Sequence, residues 1–127
     1  MNPAGISVLV IDDEEAMRDY VRFALEKDGY SVHTAQDGVE GMEMAKKIVP
    51  KVIITDLVMP EGEGIEIIRE IKSLYPECKI IAMSGATNSE TYLAIARHLG
   101  AHRVLQKPFK AFHVSSAVRD ALAEATT

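Results

Sequence analysis

Five times along this chain a short apolar run rich in Val and Ile precedes a longer stretch whose apolar residues return at three- and four-residue spacing. The first pattern is that of a strand and the second that of an amphipathic helix, so together they dictate a βα repeat. The runs are Val8 to Ile11, Ser31 to Ala35, Val52 to Thr55, Lys79 to Met83 and Arg103 to Leu105. The first, third and fourth are nearly continuous in Val, Ile, Leu and Met, as strands buried on both faces are. Connections long enough for one helix each make the strands parallel and place helices on both sides of the sheet. The expected fold is therefore α/β: a five-stranded parallel sheet, doubly wound, with five helices.

Local punctuation supports this division. Ala16, Tyr20 and Ala24 with Val21 and Leu25 mark one face of a first helix that should stop at Gly29, where glycine takes a left-handed cap. Asp37 and Glu40 have the spacing of a capping box ahead of Val39, Met42 and Ala45, and Pro50 ends that segment. Ile65, Ile68, Ile71 and Tyr75 descend a third helix ended by Pro76. Thr87 to Glu90 can cap a fourth, ended by Gly100, and Val114, Ala117, Val118, Ala121 and Leu122 line a fifth.

At 127 residues the chain suits one core, and the expectation is a single domain over 1–127 with its core at about 6–124, or one cut from a longer protein. A net charge of -5 without a Lys/Arg cluster argues against direct nucleic-acid binding. Cys78 is the only cysteine, so no intrachain disulfide is possible, and it reads as a small apolar residue before a strand. No apolar run reaches the roughly 18 residues of a membrane span, and residues 1–5 lack a leader pattern. A cytoplasmic address, with no membrane partner, is the expectation.

Polar residues concentrate where the runs end: Asp12 and Asp13 after the first, Asp56 after the third, Ser84 after the fourth, and Lys107 and Pro108 after the fifth. In an open α/β sheet the crevice beyond the carboxyl ends of the strands is the ligand site, so these residues should meet at one edge. Three carboxylates there repel one another and raise each other's pKa unless a cation neutralises them. The donors are all hard oxygens, which favours Mg2+ over zinc or copper. An aspartate beside such an ion can take a phosphoryl group, with Lys107 and Ser84 serving its remaining oxygens.

Four segments, Asp12-Asp13-Glu14, Asp56-Leu57-Val58-Met59-Pro60, Met83-Ser84-Gly85-Ala86 and Lys107-Pro108-Phe109, resemble the signature segments of the bacterial response-regulator receiver family, in the same order. The resemblance implies a flavodoxin-like strand order 2-1-3-4-5 and a phosphoacceptor switch of a two-component phosphorelay. Asp56 would be the acceptor, Ser84 the switch hydroxyl and Lys107 the lysine that pairs with the phosphoryl group. Asp13 would ligate Mg2+ directly, Asp12 largely through water, and Asp56 and the backbone carbonyl of Val58 would complete the protein ligands. The Lys107-Pro108 bond would be cis. A sensor histidine kinase or histidine phosphotransfer protein would donate, an unknown downstream protein would read the fourth helix, fifth strand and fifth helix, and enzymic activity would be limited to self-phosphorylation and self-dephosphorylation.

The chain departs from the family at Val104, three positions before Lys107, where an aromatic residue is usual. Output is then expected to rely on the loop after Ser84 and on the fourth helix and fifth strand as a unit. The resemblance also implies that Val58 and Ala86 stand where side chains in this family tune phosphoryl lifetime, and neither can hold a water, so no accelerated self-hydrolysis is expected. The alternatives are a pseudo-receiver acting as a constitutive protein-binding module, and a redox or phosphohydrolase protein of the same architecture. His98 and His102 have helical metal spacing but are separated by Gly100, and read as surface histidines. Gly62-Glu63-Gly64 is too short for a phosphate cradle, and Met42, Met44, Met59 and Met83 read as packing residues.

Overall fold

The computed structural model describes residues 5–58, 63–85 and 89–124. Its elements alternate throughout: β1 (Ser7–Ile11), α1 (Glu15–Lys27), β2 (Ser31–Ala35), α2 (Gly38–Ile48), β3 (Val52–Asp56), α3 (Glu63–Leu74), β4 (Lys79–Ser84), α4 (Ser89–Leu99), β5 (Arg103–Gln106) and α5 (Ala111–Ala123). The strands form one parallel sheet in the order β2-β1-β3-β4-β5. Strand limits agree with the apolar runs to within a residue at each end.

Strand alternation divides the core in two. Leu9, Ile11, Ile53, Ile80 and Ala82 point to the side covered by α2, α3 and α4, where Ala45, Ile68, Ile71 and Ala96 meet them. Val8, Val10, Val52, Ile54, Ile81 and Met83 point to the other side, against Val21 and Leu25 of α1 and Val114, Val118 and Ala121 of α5. Because both faces of β1, β3 and β4 are covered, these strands cannot show the polar alternation of a half-exposed sheet.

Helix ends follow the expected chemistry. The Asp37 carboxylate accepts from the Glu40 N–H at 2.8 Å, capping α2. Gly29 and Gly100 take φ of 98° and 117° after α1 and α4, conformations that an L side chain resists. Thr87 and Asn88, expected to cap α4, lie outside the described residues, as do Met59 and Ala86. The remaining methionines of the sequence reading pack as expected: Met83 is fully buried and Met42 and Met44 lie against the core.

Two helix faces hold in part. Of the expected face of α1, Val21, Ala24 and Leu25 are buried, with Met17 packed beside them, but Ala16 and Tyr20 are exposed. Val39 is likewise exposed, while Gly41 and Ala45 carry the buried face of α2. In α2 the fully buried stripe consists of small residues, which let that helix lie close to the sheet. Tyr20 is used elsewhere: its ring tilts against Phe109 with centroids 6.4 Å apart.

Candidate functional site at the carboxyl edge of the sheet

The strand order reverses between β1 and β3, since β1 continues outward to β2 and β3 continues outward to β4 and β5. A crevice must open beyond their carboxyl ends. Asp12 leaves β1 directly after Ile11, whose partner across the ladder is Thr55, so Asp12 and Asp56 emerge side by side. Ser84 closes β4 opposite Gln106 of β5, and Lys107 follows at once. The Lys107-Pro108 bond is cis.

One carboxylate oxygen from each of Asp12, Asp13 and Asp56 lies within 4.8 Å of the others. Asp12 is fully buried and Asp56 nearly so, while Asp13 is exposed. The Lys107 ammonium reaches in from the opposite wall, 2.8 Å from Asp12 Oδ2, 3.5 Å from Asp56 Oδ2 and 3.9 Å from Glu14 Oε1. The Glu14 N–H donates to Asp12 Oδ1 at 2.9 Å, and Arg18 donates to the Asp12 carbonyl at 2.7 Å. The Val58 N–H approaches Asp56 Oδ1 at 3.4 Å. A cavity of about 490 Å³ opens above these groups, bounded by Asp13, Glu14, Asp56, Val58 and Lys107 among others.

Burial pushes the Asp56 carboxyl up to about 6, with the Asp12 charge adding to it and Lys107 and the Val58 N–H opposing. Carboxylate repulsion was the cause expected from sequence; it contributes here, but desolvation is larger. Burial pulls Lys107 down, yet its hydrogen bond to Asp12 and the charges of Asp56, Asp12 and Glu14 outweigh this and leave its pKa raised. Among the described residues, Ser84 Oγ is a buried side-chain oxygen with no hydrogen-bond partner. A buried hydroxyl of this kind calls for an explanation, and a ligand oxygen is one that would satisfy it. Three carboxylates offering hard oxygens in one small volume fit a divalent cation such as Mg2+, which needs few protein ligands and keeps its waters.

The family model for the response regulator receiver domain matches residues 8–119. The chain belongs to this receiver-domain family. Among curated relatives, response regulator MprA from Mycobacterium sp. (strain KMS) is 34% identical over 104 residues, covering 82% of this chain and 45% of the relative. The matched region thus spans less than half the length of that protein. A response regulator receiver domain protein from Clostridium thermocellum has a structure similar to it, with TM-score 0.86 and 34% identity over 93% of this chain and 94% of the other. The chemotaxis response regulator CheY4 of Vibrio cholerae superposes with TM-score 0.82 and 30% identity over 91% and 98% of the two chains. Receiver domains are signalling proteins of two-component systems rather than turnover enzymes.

Asp12, Asp13, Asp56 and Lys107 thus converge at one rim of the receiver, with Val58 on the same cavity and Ser84 at the adjacent strand end. Sequence reasoning gave no role to Glu14, Arg18 or Gly64. Glu14 and Arg18 hold the Asp12 backbone and side chain. A Cβ on Gly64 would meet the Asp56 carbonyl oxygen and stand 2.5 Å from Leu57 Cα. Glycine therefore lets the first turn of α3 rest directly on the Asp56–Leu57 backbone. The packing is what shows the need for glycine at this position.

His98 and His102 are not a metal pair: Gly100 ends α4 between them, and only His98 is exposed. His102 is half-buried, so its reading as a surface residue is corrected. Its backbone N–H donates to the Ile80 carbonyl at 2.7 Å, and its Nδ1 accepts from the Ile80 N–H at 3.0 Å. Cys78 is buried, and desolvation pushes its thiol up to about 12, consistent with a packing residue. Val104 is partly buried on the α4 side of the sheet. Among the described residues no helix is long and apolar enough to cross a membrane.

Proposed function

We propose that this receiver is a phosphoacceptor switch in which Asp56 takes a phosphoryl group from the phosphohistidine of a sensor histidine kinase or histidine phosphotransfer protein. The observation that carries the reading is the convergence of three carboxylates within 4.8 Å, with the Lys107 ammonium between two of them. A carboxylate oxygen of Asp56 attacks phosphorus, the P–N bond to the donor imidazole breaks, and the imidazole keeps the electron pair. Asp13, Asp56 and the Val58 carbonyl would hold Mg2+ directly and Asp12 largely through water; bound there, the ion neutralises phosphoryl oxygens. Lys107 turns from Asp12 toward the new phosphoryl group, and the Ser84 hydroxyl supplies a hydrogen bond to another of its oxygens.

Output through α4, β5 and α5 fits the position of Ser84 and Lys107 at the ends of β4 and β5. Val104 replaces a large ring with a side chain of little sweep, so the shift is carried by the loop after Ser84 and by α4 and β5 moving together. Residues 1–127 act as one receiver unit, in the cytoplasm, and neither Val58 nor Ala86 accelerates self-hydrolysis; a half-life of seconds in the isolated domain would contradict the last statement.

The second reading, a pseudo-receiver binding a partner constitutively, is favoured by Val104 alone. Intact-mass measurement after treatment with acetyl phosphate separates the two. The switch gains one phosphoryl group only with Mg2+ present, and Asp56→Ala gains none; a wild-type chain that stays unlabelled with Mg2+ is a pseudo-receiver.

A further inference from the structure

On the flank of the domain away from α1 and α5, α2 and α3 leave a groove of about 390 Å³ between them. Its floor is apolar: Ile67 is buried, Met42 is partly buried and Val39 is 67% exposed. Its walls are acidic, with Glu43 from α2 and Glu66 and Glu70 from α3, all exposed, against the single cation Lys46. Val39 is a β-branched side chain presented to water beside a methionine, an adaptable apolar contact.

We propose that this groove docks a cationic amphipathic helix of another protein, with apolar residues on the floor and Lys or Arg paired to Glu43, Glu66 and Glu70. Both walls are helices whose backbone groups are internally bonded, so an added strand finds no edge, and a helix laid in the groove is the mode that fits. Charge selects among occupants. Anionic lipid and nucleic acid are repelled by the three glutamates. A second copy docked isologously would set the same carboxylates against one another. A helix with basic flanks meets both the floor and the walls.

The contact would be felt at the phosphorylation rim, because the first turn of α3 seats Gly64 on the Asp56–Leu57 backbone. Docking itself does not depend on phosphorylation, so its failure leaves the switch reading intact.

The test uses the whole chain and a synthetic helical peptide with leucine on one face and lysine on the flanks, beside a scrambled peptide of the same composition. Amide shifts followed by NMR should saturate, centre on residues 38–46 and 64–70, and be weaker by about tenfold or more for the scrambled peptide. Glu43→Lys with Glu70→Lys should reduce affinity by a similar factor, while Glu26→Lys with Asp120→Lys, exposed acids elsewhere, should leave it within about twofold. Shifts that fail to saturate, that spread over other acidic surfaces, or that respond equally to both pairs of charge reversals overturn the proposal. Labelling of Asp56 by acetyl phosphate, retained in the Glu43→Lys/Glu70→Lys variant, reports separately on the switch.

Discussion

At the scale of single residues, the site holds a charge the fold resists. The Asp56 carboxyl is raised from 3.8 to about 6, chiefly by burial. A raised carboxyl means the folded state binds the proton more tightly than the unfolded chain does. Stability from this group is therefore complete below 3.8 and is lost as pH rises through about 6. Asp56→Asn removes the ionisation and should stabilise the metal-free protein at pH above about 7 by roughly 1–3 kcal/mol, with the gain shrinking below about pH 4. Urea unfolding in a chelator at the two pH values checks this; equal differences at both would show that burial of charge is not the cause. Gly64 works in the opposite sense. Gly64→Ala places a Cβ against backbone that cannot swing away, 2.7 Å from the Leu57 carbonyl oxygen, and should cost about 1–3 kcal/mol and slow labelling of Asp56. The two residues differ in what sequence can reveal. Asp56 stands out as an acid at the end of an apolar run, whereas the need for Gly64 is a distance between segments that no local pattern encodes.

At the scale of elements, the helices and strands were legible because caps and breakers are local chemistry, while the side each helix buries was less so. Tyr20 and Val39 are large and apolar, and hydropathy alone assigns them to the core, yet both are exposed, while Val21, Ala24, Leu25 and Ala45 of the expected faces are buried and Gly41 joins them. The end of α2 holds a strained residue that sequence also hides. Val49 takes φ 41° and ψ 70°, a left-handed conformation disfavoured by about 1–2 kcal/mol for an L residue and more so for a β-branched one. Since Val49 is half-exposed, Val49→Gly should raise stability by up to about 1 kcal/mol, read as a higher urea midpoint at unchanged slope. His102 joins the start of β4 to the approach to β5 by accepting from the Ile80 N–H, which requires a neutral ring. Burial lowers its pKa from 6.5, with the Lys72 and Lys79 charges adding to this. A depressed histidine gives stability that is present above 6.5 and lost as pH falls through its folded value. His102→Ala should therefore destabilise the domain near neutral pH by roughly 1–3 kcal/mol and flatten the loss of stability below about pH 6.5, as followed by thermal melts across that range.

At the scale of the whole molecule, one arrangement explains why so few residues specify the site. A parallel doubly wound sheet places every strand's carboxyl end on the same edge, so polar residues ending separate apolar runs become neighbours without being near in sequence. The parallel sheet was legible from connection length; its strand order came with the family likeness, since periodicity cannot say which strands adjoin. That order puts β1 beside β3, and with them the buried Asp12 and Asp56, so the fold concentrates negative charge at its own switch point and leaves Lys107 as the cation against it. A cation that binds only the folded carboxylates must then stabilise the entire domain by mass action. At a Mg2+ concentration about one hundred times its dissociation constant the gain is about 2.7 kcal/mol, on the order of 10 °C in the melting temperature of a domain this size. Asp13 is exposed, so Asp13→Ala should leave the metal-free melting temperature nearly unchanged while removing most of the Mg2+-dependent rise. Melts over a Mg2+ titration decide the matter: an undiminished rise in Asp13→Ala would place the stabilising ion somewhere other than the three-aspartate rim.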